Sequence, residues 1–291
     1  MAEITFLGLG LMGTALAEAM VKAGHDTVVW NRTPSKADSL VAMGAQLAPD
    51  PADAITKCPI TVVCVSDYDA SDSFLRTPES LAALNGRVLV QLTSGSYRVA
   101  RESNEWVTQA GASYLDGGIM GYPSDIGTSD STFIMAGDEK AYTQAEPLLR
   151  ILAPNLEYLG DDPGRASAVD SAVMAADFGL IMGVFTGAAI CEATGISIKQ
   201  YVEIARPVLA MDLEAQYESA IKYEDNVTEK TDAYLKQWRE VIDPVVETTE
   251  NAGYNAEFPT LVRTMLDRAI DQGWGEHDVG ALIKMLRPGS K

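Results

Sequence analysis

Six residues near the N-terminus, Gly8-Leu9-Gly10-Leu11-Met12-Gly13, constrain the fold more than any other part of this 291-residue chain. They follow the apolar run Ile4–Gly8 and lead into a helical stretch opening near Thr14, with a second apolar run at Thr27–Trp30. A G-x-G-x-x-G in that strand–turn–helix–strand setting is the fingerprint of a dinucleotide-binding β-α-β unit. Gly8 permits the tight turn, Gly10 lets the backbone approach a pyrophosphate, and Gly13 lets the helix pack close to the strand. Leu9, Leu11 and Met12 complete the cofactor-contacting loop. The helix that follows offers free N–H groups and a partial positive charge to the phosphates.

The pattern continues beyond the first unit. Ile60–Val65 and Val88–Leu92 are continuously apolar, as strands covered on both faces should be, and Ala15–Ala23 and Lys36–Met43 have helix length. Further strands are predicted at Ser113–Leu115, Thr132–Met135 and Leu156–Tyr158. Past Gly164 strand signals vanish, and a helix is predicted from Ala166 to about Thr194, closed by Gly195. The expected fold is α/β: a Rossmann-like doubly wound sheet over residues 1–161, a long interdomain helix over 162–194, and an all-α domain over 195–291.

The end of the second strand selects between cofactors. NAD-binding proteins place a carboxylate there to bond the ribose 2′-hydroxyl. This chain has Asn31-Arg32-Thr33, with Lys36 following. Arg32 and Lys36 can pair with a 2′-phosphate, and Asn31 and Thr33 can add neutral hydrogen bonds. The prediction is NADPH/NADP⁺. Two more strand ends, Val65-Ser66 and Thr93-Ser94, should face the cofactor. Their hydroxyls either bond ribose or nicotinamide or serve as ordinary strand-ending turn residues.

Composition excludes several classes. With 22 Lys and Arg against 41 Asp and Glu, the net charge of −19 disfavours nucleic acid and anionic membrane surfaces as partners. Two distant histidines, His25 and His277, argue against a His-based metal site or a serine-hydrolase triad. The opening MAEITFLGLG has no basic leader pattern, and Cys58, Cys64 and Cys191 show no paired spacing, which together predict a cytoplasmic protein. Ala172–Ile190 is long enough to span a bilayer, but Asp177 within it and Asp170 ahead of it predict a buried helix of a soluble protein.

Gly8–Leu40, with its Trp30-Asn31-Arg32-Thr33-x-x-Lys36 element, resembles the opening of imine reductases and reductive aminases, relatives of the β-hydroxyacid dehydrogenases. LTSG at Leu92–Gly95 and DGGIMGYPSDIG at Asp116–Gly127 extend the resemblance, which weakens after about Thr228. The hydroxyacid branch carries a Lys early in the long helix. Asp170 stands there instead, with Val173 and Met174 at the positions of that branch's Asn, so the base for hydroxyl oxidation is missing.

The resemblance implies NADPH-dependent reduction of small-molecule imines. Asp170, shielded by Val169, Val173 and Met174, would either protonate the imine nitrogen or hold an iminium as an anion. Met120, Tyr122, Phe178 and Trp238 either line an apolar substrate pocket or belong to the core. Reductive aminases of this kind carry Tyr where Phe178 stands and Asn where Ser94 stands, which favours preformed cyclic imines as substrates here. Pro244 replaces a family His in Asp243–Thr248. The small-residue helix and the helical tail predict a homodimer, and the resemblance implies intertwined C-terminal domains. Two alternatives remain at this stage, a β-hydroxyacid dehydrogenase and a non-catalytic NADP-binding sensor.

Overall fold

A computed structural model of the chain describes residues 2–226, 228 and 231–287. Eight strands form one sheet: β1 (Ile4–Leu7), β2 (Thr27–Trp30), β3 (Gln46–Leu47), β4 (Ile60–Val63), β5 (Val88–Gln91), β6 (Ser113–Met120), β7 (Thr132–Gly137) and β8 (Asn155–Tyr158). Their order is β3-β2-β1-β4-β5-β6-β7-β8. The first six run parallel, β7 is antiparallel to β6, and β8 runs with β7. Strand order reverses between β1 and β4, and a doubly wound sheet opens its ligand crevice at that switch point.

Helices cover both faces of the sheet. They are α1 (Leu11–Lys22), α2 (Asp38–Ala42), α3 (Pro51–Lys57), α4 (Tyr68–Leu75), α5 (Pro78–Leu84), α6 (Tyr97–Gln109) and α7 (Glu139–Leu152). Because successive strand residues point to opposite faces, Ile4 and Phe6 enter the core shared with Leu16, Met20 and Leu149. Leu7 enters the other, with Ile55, Leu84 and Val107. Between them Thr5 turns its hydroxyl to the Ala54 carbonyl at 2.8 Å, so even the polar residue in this strand is satisfied.

The structure refines three sequence expectations. The first helix begins at Leu11, not Thr14, so Gly10 is its N-cap. The stretch from Lys36 is a 3₁₀ turn over Pro34–Ala37 followed by the short α2, because Pro34 sets a tight first turn. β3 carries no apolar signal, since Gln46 and Leu47 are both exposed at the sheet edge.

The long helix α8 (Gly164–Ala193) ends at Gly195, whose φ is +80°; the Ile196 N–H reaches back to the Cys191 carbonyl at 2.8 Å. The chain divides into two compact units, Met1–Ala175 and Ala176–Lys291, inside this helix. The second unit contains α9 (Ile198–Glu224), α10 (Leu235–Asn251, running through Pro244) and α11 (Glu257–Asp271). Its small core gathers Leu235, Leu266, Ala269 and Ala281.

The expectation that α8 is buried fails for the single chain. No residue of its most apolar 18-residue window is buried, and only Gly164, Ala166 and Ser167 of the whole helix are. A helix apolar on all sides must be covered, but periodicity does not say by what.

The glycine loop is held by backbone contact. Gly8 has φ +100°, and a Cβ there would lie 2.3 Å from the Cys64 carbonyl oxygen; one at Gly13 would lie 2.1 Å from the Gly8 oxygen. Gly10 has ordinary extended dihedrals, and a Cβ there would meet nothing within 4 Å. Gly13→Ala should therefore lower unfolding free energy by roughly 1–3 kcal/mol, while Gly10→Ala should cost no more than about 1 kcal/mol, through its poorer N-cap alone. Urea denaturation of the two variants tests this; equal losses would refute the packing role of Gly13.

Candidate active site

At the carboxyl end of β2 the chain turns outward and exposes Arg32, Thr33 and Lys36. Together with Gly8, Trp30, Val65, Ser66 and Phe74 these residues line a cavity of about 370 Å³ at the switch point. A second cavity of about 540 Å³ opens in front of the α1 N-terminus, lined by Leu9, Gly10, Leu11, Thr14, Pro123 and Ser124, and Lys36 borders both. Among the described residues neither Arg32 nor Lys36 pairs with a carboxylate, so both cations are available to an anionic ligand. A wider depression of about 820 Å³ adjoins across Trp30 and Phe74, but it is rimmed by Asp50, Asp53 and Glu79, which would repel a phosphate. Charge, not volume, singles out the cavities along the glycine loop.

Several of the polar residues expected to meet the cofactor are engaged within the protein. The Asn31 carbonyl oxygen accepts from the Leu9 N–H at 3.0 Å, and its amide donates to the Thr33 carbonyl at 3.0 Å. Asn31 thus ties the glycine loop to the end of β2. Thr93 is buried, and its hydroxyl accepts from the Val65 N–H at 3.1 Å, joining the ends of β4 and β5. The Ser66 hydroxyl donates to Asp67 at 2.8 Å, and Asp67 caps α4 by accepting from the Ala70 N–H at 2.7 Å. Ser94 is exposed, beside Gly95, where a Cβ would lie 2.3 Å from the Tyr68 ring. Met12 packs against the sheet core beside Leu9.

Asp170 lies on the second turn of α8, against β6. A Cβ built at Gly118 would approach the Asp170 Cβ to 3.1 Å and the Met120 methyl to 3.0 Å. Burial raises the Asp170 carboxyl above the usual range. On one side the carboxyl is covered by this strand, while Val173 and Met174, one turn along the helix, are 42% and 37% exposed. Tyr122 is 75% exposed, and Phe178 and Trp238 belong to the second unit, also exposed.

Sequence reasoning passed over one cluster. Asp116, fully buried in β6, accepts from the Tyr68 hydroxyl at 2.5 Å and the Tyr114 hydroxyl at 3.3 Å on one oxygen. Its other oxygen accepts from the Ser167 hydroxyl at 2.5 Å and the Ser167 N–H at 3.1 Å. Burial pushes the carboxyl up to about 6 against the opposing pull of these donors. The signal was available, because an acid inside a buried strand must find partners.

Residues 3–160 match the family described as the NAD binding domain of 6-phosphogluconate dehydrogenase, and residues 162–288 match the C-terminal domain of NADPH-dependent reductive aminase-like proteins. An NADPH-dependent reductive aminase of Aspergillus oryzae is 28% identical over 99% of this chain and 98% of its own length. An imine reductase from Myxococcus stipitatus, solved in complex with NADP⁺, has a TM-score of 0.93 and 31% identity, covering 98% of this chain and 100% of that one. A reductive aminase from Aspergillus terreus, solved with NADPH and ethyl levulinate, has a TM-score of 0.93 and 31% identity, covering 98% and 99%. With the glycine loop, the two free cations and an acid at the start of the long helix, these likenesses place the chain in the imine reductase and reductive aminase family.

Proposed function

We propose that this protein reduces C=N bonds with NADPH, acting on preformed, cyclic imines, with Asp170 serving the imine nitrogen. The observation that carries the reading is the pairing of free Arg32 and Lys36 beside the glycine loop with a carboxyl at the start of α8. The residues present suit the cofactor. Gly10 leaves open space before a helix N-terminus, where a pyrophosphate gains N–H donors and a favourable dipole. Arg32 and Lys36 supply the charge that a 2′-phosphate requires.

When bound, NADPH supplies a hydride to the imine carbon and leaves as NADP⁺, while the C=N π pair becomes a nitrogen lone pair that takes one proton. Asp170 supplies that proton, or as an anion holds the protonated nitrogen in place. Desolvation keeps its protonated form present at higher pH than an ordinary carboxyl. The only cation on α8, Arg165, donates to the Leu159 carbonyl at 2.7 Å. No lysine on that helix can act as the base that a hydroxyacid dehydrogenase needs. Phe178, where related reductive aminases carry Tyr, offers no hydrogen bond to a carbonyl substrate.

A second copy of this chain is the proposed cover for α8 and α9. Phe178, Met182 and Phe185 on the first and Ile204, Met211 and Ile221 on the second are exposed, more apolar surface than a soluble monomer ordinarily shows. Three free thiols support a reducing, cytoplasmic setting.

Asp170→Asn should lower kcat for a five-membered cyclic imine roughly 100-fold or more, with NADPH affinity retained. If Asp170 is the donor, the parent rate falls as pH rises through its raised pKa, and the variant lacks that limb; parental turnover in the variant would remove Asp170 from the mechanism. Arg32→Ala with Lys36→Ala should raise the NADPH Kd roughly 10- to 100-fold and leave NADH binding unchanged. Equal losses for both cofactors would refute the 2′-phosphate assignment. Light scattering on the eluting protein should return twice the chain mass, and a monomer would refute the dimer.

A further inference from the structure

The buried Asp116 cluster has no place in the chemistry above, yet it joins α8, which carries Asp170, to β6 and to the ends of β4 and β5. Tyr68 is the first residue of α4, directly after the Ser66–Asp67 turn that ends β4. Its ring fills the space beside Gly95, on the loop that ends β5. Asp116 is in β6, and Ser167 is in the first turn of α8.

The spacing is informative. Asp116 and Gly118 are two apart on a strand, hence on one face. Ser167 and Asp170 are three apart on a helix, hence also on one face. The contacts pair them in order, Asp116 with Ser167 and Gly118 with Asp170. Strand and helix are therefore locked in register by one polar contact and one steric contact, and Asp170 sits at the second rung.

We propose that Asp116 is a positioning residue for imine reduction, an ionised carboxylate that clamps the first turn of α8 onto β6 and to the β4 and β5 ends and so sets the place of Asp170. This rests on the reading of Asp170 given above. Four donors converge on the Asp116 carboxylate, and the Ser167 N–H can only donate. An ionised carboxylate has an acceptor site for each of them. An amide has only one acceptor atom: with its oxygen kept on Ser167, its NH2 faces Tyr68 and Tyr114, whose hydroxyls must turn to accept and lose the carboxylate that takes their protons, so the charge-assisted bonds of the clamp are given up. The α8 N-terminus adds a favourable dipole to the charge.

The test is a double-mutant cycle of Asp116→Asn and Asp170→Asn, read as kcat and KM for a five-membered cyclic imine and as NADPH Kd by fluorescence. Asp116→Asn should lower kcat roughly 10- to 100-fold and leave the NADPH Kd within about twofold. In the Asp170→Asn background it should lower kcat by no more than about twofold, because the group it positions is already gone. The same fractional loss in both backgrounds, or a loss carried by NADPH affinity, would overturn the proposal and leave the role of Asp170 standing. Parental turnover in Asp170→Asn would instead defeat both. Should Asp116→Asn fail to fold, Ser167→Ala removes one donor and serves in the same cycle. It should lower kcat several-fold, by about 1 kcal/mol of lost hydrogen bonding, in the parent background only; full activity in the parent background would equally overturn the clamp.

Discussion

The N-terminal unit depends on a contact between backbones. At Gly8 and Gly13 helix α1 comes so near β1 and β4 that the Cys64 and Gly8 carbonyl oxygens occupy the places where side chains would begin. That approach aims the first turn of α1 into the crevice between β1 and β4, where the sheet reverses its order. The third glycine does different work. Gly10 makes no packing demand, so its side-chain space belongs to whatever lies in front of the helix. Two glycines serve the fold and one leaves room for a ligand, within six residues.

Around this loop, polar side chains divide by what they can still do. Asn31, Thr93 and Ser66 look from their positions like ligand contacts, but Asn31 ties the glycine loop to the end of β2, Thr93 joins the ends of β4 and β5, and Ser66 donates to the Asp67 that caps α4. A loop carrying unsatisfied N–H groups at a strand end needs such anchors before it can hold anything else. Among the described residues Arg32 and Lys36 have no such internal task. The ligand-facing character of the site is therefore electrostatic at its rim and geometric at its base.

This division also explains what could be read beforehand. The parallel strands were legible because burial on both faces requires unbroken apolar runs, as in Ile-Thr-Val-Val at β4 and Val-Leu-Val at β5. β3 was not, since a two-residue exposed edge strand has no such requirement. The glycine fingerprint and the cations after β2 were legible because each is a local answer to a local need. The hydrogen bonds of Asp116 were not legible either: its partners Tyr68 and Ser167 lie 48 and 51 residues away, and only the fold brings them together. The approach of Asp170 to Gly118 in β6 was not legible for the same reason, because only the fold brings that strand and the helix together.

The long helix shows how two kinds of interaction can divide one element. Its first turn is held by charge and hydrogen bonds: Asp162 accepts from the Gly164 N–H at 3.0 Å, Arg101 pairs with that same Asp162 at 2.6 Å, and Asp116 takes the Ser167 N–H. These directional contacts fix where the helix starts and how it is rotated. From Ser171 to Gly183 almost every residue is exposed, and most are apolar or small. Burial is non-directional, so that stretch can be covered well by any complementary surface without setting a register itself. The acid proposed to meet a substrate nitrogen lies on the directional part, where hydrogen bonds and not burial alone set its place. Asp170 is there, one turn beyond Ser167 and before the bare stretch begins.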